Sequence, residues 1–63
     1  MGDKQAFANH QYTELYEVTG RYSDGQTFKF FGNAMSPDSA MKKVLRDMGE
    51  RMHRVEMINA ETV

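Results

Sequence analysis

The 63-residue chain has no cysteine, no tryptophan and a single proline, and these shortages narrow what it can be. Without cysteine there is neither a disulfide framework nor a thiolate metal site to support so small a fold. A chain of about 60 residues makes one domain and buries only about 60% of the surface that its unfolded form exposes, so its stability margin is thin. An excess of charge is missing as well. Eight Lys and Arg stand against nine Asp and Glu, a net charge of −1, which excludes a general electrostatic clamp on nucleic acid and leaves room only for a local basic patch. No apolar run approaches the ~20 residues that span a bilayer, and the N-terminus lacks the apolar core of a signal peptide. A soluble, cytoplasmic protein without membrane contact is expected.

Catalytic groups are equally scarce. The two histidines, His10 and His53, are far apart in sequence, and there is no Gly-rich phosphate loop and no His/Cys cluster at metal-ligand spacing. Nucleophilic or acid–base chemistry needs a Ser or Cys beside a positioned His, or paired carboxylates in a dry cleft, and a chain this short has little volume for both a core and a pocket. The expectation is a non-enzyme without cofactor or metal.

What is present is a clear order of elements. Residues 1–13 show no period of two or 3.6 and read as a flexible arm; 14–60 form the single domain, and 61–63 are expected to fray. From Glu14 to Tyr22 the chain alternates, with Tyr16, Val18 and Tyr22 on one side, Glu17, Thr19 and Arg21 on the other, and Gly20 interrupting the inner row. Gln26 to Ala34 makes a second strand, with Phe28 and Phe30 on one face and Lys29, Phe31 and Asn33 on the other. A two-residue Asp24-Gly25 turn would split this apolar set between the faces. A three-residue Ser23-Asp24-Gly25 loop, with Gly25 left-handed, instead pairs Val18 with Phe30 and Gly20 with Phe28, and is preferred.

Ser36-Pro37-Asp38 starts a helix: a capping hydroxyl, a proline where no N–H is needed, and a carboxylate at the positive end. Ala40, Met41, Val44, Leu45 and Met48 form one apolar stripe, expected to pack on Val18, Phe28 and Phe30, and Gly49 ends the helix. A third strand is expected over roughly 52–60, with His53, Val55 and Met57 on its inner face. Met35 and Met52, at element junctions, are the methionines expected to be exposed. The fold class that follows is α+β: a ββαβ chain with a three-stranded antiparallel sheet of order 2-1-3 and one helix on one face. Placing strand 3 beside strand 2 would instead require a right-handed parallel crossover.

Folding alone leaves two features unexplained. Phe31 points away from the helix, near Leu15, on an open sheet face. With Arg21, Lys29 and Arg54 it makes a candidate protein-binding surface. The segment 42–54 is net positive while the rest of the chain is net negative; its Lys42, Lys43, Arg46 and Arg51 make an alternative nucleic-acid surface suited to phosphate tracking rather than base reading. His53, between Arg51 and Arg54, is either a polar contact on that basic edge or a half-buried strand residue.

The run Tyr16-Glu17-Val18-Thr19-Gly20-Arg21-Tyr22, followed by Ala34 to Ala40 and by Gly49-Glu50-Arg51-Met52-His53-Arg54-Val55, resembles archaeal ribosomal protein LX over residues 16–60. That resemblance implies binding to ribosomal RNA. Residues 27–60 are similar to the short coliphage inhibitor of host RNA polymerase, through Phe28, Ala34, Ser36, Asp38, Ala40 and Val55. This second resemblance implies three strands, one helix and a protein target. The function expected is a small protein-binding modulator, encoded by a phage and acting on a host enzyme of nucleic-acid or cell-cycle metabolism, with an RNA-binding accessory of ribosomal type as the alternative.

Overall fold

The computed structural model describes residues 12–63, so the arm expected over 1–13 falls outside the described residues except for Tyr12 and Thr13. Strand β1 is Glu14–Tyr22, β2 is Thr27–Ala34, and helix α1 is Pro37–Met48; a 3-10 helix, Gly49–Arg54, leads into β3, Val55–Thr62. Both strand pairs are antiparallel and the sheet order is β2-β1-β3, as the sequence pattern predicts.

The hairpin closes on a three-residue loop. Tyr22 donates its N–H to the Gln26 carbonyl at 2.7 Å, and Gly25 donates to the Tyr22 carbonyl at 2.9 Å. Gly25 sits at φ 95°, a conformation that side chains with a Cβ rarely adopt. Asp24 holds the loop from both carboxylate oxygens, accepting from the N–H of Gln26 at 3.0 Å and from Arg54 at 3.2 Å. The resulting register places Val18 opposite Phe30 and Gly20 opposite Phe28, so the inner aromatics share one face.

Ser36 caps α1 by accepting the Ser39 N–H on its hydroxyl at 3.1 Å, Pro37 stands in the first turn, and Asp38 faces the positive helix end. At the other end Gly49 takes φ 66° and donates its N–H to the Arg46 carbonyl. Beneath the helix lies the core of Tyr16, Val18, Ala34 and Ala40, with Met41, Val44, Ile58 and Ala60 packed against it. Val18, at 1% exposure, is its centre. The helix packs most extensively against β3, where Ala60 lies directly opposite Val18. That lean corrects the expected floor of the core: Phe28 is only half-buried, Phe30 is 40% exposed, and Leu45 lies at the margin rather than in the core cluster.

The third strand departs furthest from expectation. Residues 49–54 turn as a 3-10 helix, so His53 is exposed there rather than lying on a strand, and β3 starts at Val55. Tyr22 pairs with Val55 but Arg21 pairs with Met57, which leaves Glu56 as the extra residue of a β-bulge. The bulge reverses the side-chain parity along the strand. Val55, Ile58 and Ala60 therefore share the inner side, and Met57, expected there, is 53% exposed on the outer face. The ladder continues into the segment expected to fray: Tyr16 pairs with Thr62, and Val63 donates its N–H to the Leu15 carbonyl at 3.0 Å.

Gly20 owes its place in a central strand to this arrangement. A Cβ there would overlap the ring of Phe28 and the backbone carbonyl of Met57, so the missing side chain is the space in which the Phe28 ring lies. That ring stacks at 5.1 Å from Tyr22 and 5.9 Å from Phe30, extending the inner face beyond the reach of the helix.

A strand-interior glycine normally gains stability on replacement by alanine, but here Gly20→Ala should cost about 1–3 kcal/mol through overpacking. Urea denaturation compares it with Gly25→Val, which meets open space but forces a branched residue to positive φ and should cost about 1–2 kcal/mol. In the same series Val18→Ala should cost about 2–3 kcal/mol, and Leu45→Ala, from a half-buried margin, distinctly less.

Candidate protein-interaction surface

Parity along β1 and β2 places Leu15, Glu17, Thr19 and Arg21 on the face away from α1, with Thr27, Lys29 and Phe31 beside them. The one helix among the described residues cannot cover both faces of the sheet, and no described element packs on this one. Phe31 is 59% exposed and Leu15 44%, and their positions are diagonal neighbours across the β1–β2 ladder, a contiguous apolar pair on a polar face. Met57 adds an exposed apolar side chain at the other end of the same face, opposite Arg21.

The cations expected to join Phe31 are engaged locally. Lys29 lies 3.1 Å from Glu17 and Arg21 lies 3.2 Å from Glu56, both on the outer face. Such exposed pairs contribute little stability and open readily to a partner. Arg54 is a correction: it stands at the end of the 3-10 helix, 3.2 Å from Asp24 and over the ring of Tyr22 at 5.8 Å, so it braces the hairpin instead of lining the outer face.

The alternative basic set divides too. Lys42 pairs with Asp38 at 3.2 Å one turn away, whereas Lys43, Arg46 and Arg51 make no ion pair with another described residue. Phe31 stays on the sheet face opposite the helix that carries Lys43, as the alternation predicts. Because α1 leans toward β3, a groove of about 180 Å³ opens between the helix and β2, with Val18, Phe30, Val44 and Met48 among its lining and Lys43, Asp47 and Arg51 at its rim; Phe31 and Asn33 close it at the strand edge. Strand β2 thus presents an aromatic on each side, Phe30 toward the groove and Phe31 toward the open face. Sequence reasoning found Phe31 but not the groove, since Phe30 reads as core in any pattern of alternation. Met35 and Met52 are exposed at their junctions, as their positions predict.

Among the described residues, no group of three or more His, Cys, Asp or Glu is placed to hold a metal ion, and no helix is long and apolar enough to cross a membrane. Comparison with known protein families, curated proteins and solved structures finds no match to this chain.

Proposed function

We propose that this chain is a small, non-enzymatic protein-binding domain that engages its partner through β2 and the sheet face around Phe31. The observation that carries the reading is Phe31 itself, an aromatic on an outer strand, 59% exposed, with Leu15 beside it and paired but accessible cations at Lys29 and Arg21 around it. Aromatic and arginine side chains are the usual anchors of protein interfaces, and an aromatic this exposed adds little burial to the stability of the domain. The resemblance to the coliphage inhibitor supports a narrower form: a phage-encoded, cytoplasmic modulator of a host enzyme of nucleic-acid or cell-cycle metabolism, RNA polymerase among them.

One observation favours a second reading. Arg46, Lys43 and Arg51 face solvent without a carboxylate partner among the described residues, a setting suited to RNA phosphates and in keeping with the resemblance to ribosomal protein LX.

Affinity capture from bacterial lysate with the wild-type chain and Phe31→Ala as paired baits, followed by calorimetric titration of the captured protein, tests the first reading. Phe31→Ala should weaken binding by about fivefold or more with unchanged thermal stability. Equal binding by the two baits would remove Phe31 from the interface. In the RNA reading, reversing Lys42, Lys43 and Arg46 to Glu should abolish RNA binding, and each lost phosphate contact should lower the slope of log affinity against log salt by about one; a salt-independent association contradicts it.

A further inference from the structure

The groove beside β2 runs along a row of backbone groups that no other described strand pairs. The Tyr22–Gln26 hydrogen bond fixes the phase of the ladder, and alternation in an antiparallel pair then turns the N–H and C=O groups of Phe28, Phe30, Gly32 and Ala34 toward β1. Those of Thr27, Lys29, Phe31 and Asn33 turn outward, and no other described strand pairs with them. An extended chain laid along this edge would complete a fourth strand, with every second side chain entering the groove over Phe30, Val44 and Met48.

Two further features define what fits. Gly32 lies on the inner side of β2, and a Cβ built there meets nothing within 4 Å, so the groove wall is cut away at that point and has room for an inserted side chain. Charge around the groove is mainly positive: Lys43 and Arg51 stand at the rim against Asp47 alone. The opposite edge of the sheet, β3, carries Glu56 and Glu61 instead.

From this geometry we infer that the β2 edge receives an extended segment of a partner protein, aliphatic at alternate positions and flanked by Asp or Glu, which adds to the sheet as a fourth strand. The inference rests on the protein-binding reading above and names its site and partner chemistry. Backbone hydrogen bonds to Lys29, Phe31 and Asn33 hold the segment, aliphatic side chains fill the groove, and its carboxylates meet Lys43 and Arg51. Asp47 opposes those carboxylates and weakens the fit.

Amide-resolved NMR titration of the full chain with two synthetic nonapeptides, DDVTVIVDD and its lysine-flanked counterpart KKVTVIVKK, tests it. The acidic peptide should shift the amides of Lys29, Phe31 and Asn33 and slow their hydrogen exchange, and should bind about tenfold more tightly than the basic one. Asp47→Asn should strengthen its binding. Gly32→Phe fills the groove at a position with free space, so the variant should fold and lose the peptide. Asn33→Pro removes an outward N–H without touching the β1 ladder and should do the same. Equal binding of both peptides, or wild-type binding of the acidic peptide by a folded Gly32→Phe, overturns the inference. If the lysate partner is lost with Phe31→Ala but kept by Gly32→Phe and Asn33→Pro, the edge inference fails while the protein-binding reading stands. Peptide-independent self-association in sedimentation, abolished by Gly32→Phe, would make a second copy the occupant and equally overturn it.

Discussion

Register in the β1–β2 hairpin is a parity problem, and its solution governs what lies above the sheet. Side chains alternate between faces with a period of two, so a slip of one residue would send Phe28 and Phe30 to the solvent face and bring Lys29 and Phe31 under the helix. The three-residue loop prevents this slip, and it can form because Gly25 takes a positive φ while Asp24 holds the Gln26 N–H and the Arg54 guanidinium. With Val18 opposite Phe30, the central strand offers Tyr16 and Val18 to α1, and the small Ala34, Ala40 and Ala60 let the helix come close.

Helix α1, with 12 residues, cannot by itself cover a three-stranded sheet evenly. By settling toward β3 it buries Val18 and half-buries Ile58, but leaves Phe30 partly open and a groove along β2. The thin core and the exposed binding features therefore have one origin: apolar surface that a larger domain would bury remains at the edge, where a partner can take it up. The hairpin end is closed differently, by the Tyr22, Phe28 and Phe30 rings, the guanidinium of Arg54 and the vacancy at Gly20.

Element order and the helix bounds were legible because their signals are local and strong, and the strand order because the Tyr16, Val18 and Tyr22 row suits a central strand. Ser36-Pro37-Asp38 and Gly49 bracket the helix with capping chemistry, and the loop can be chosen by asking which register keeps the aromatics together. Strand β3 was not legible in the same way. Val55 and Met57 fit one parity, Ile58 and Ala60 the other, and both rows are apolar; only pairing with β1 through the bulge at Glu56 selects between them. The 3-10 helix before it hid for a similar reason, since Arg51, Met52, His53 and Arg54 alternate as readily as they turn.

The sequence by itself determined the class of fold, the face on which Phe31 would stand and the shortage of catalytic groups, because each follows from local alternation, capping or composition. Tertiary structure alone decided where the helix settles on the sheet, and with it the exposure of Phe30 and the groove beside β2. The reason is physical: periodicity states which side of an element is apolar, whereas the sideways position of one packed layer on another depends on the sizes of side chains brought together from distant parts of the chain, here Ala60 opposite Val18 and nothing beyond the hydrogen atom of Gly32.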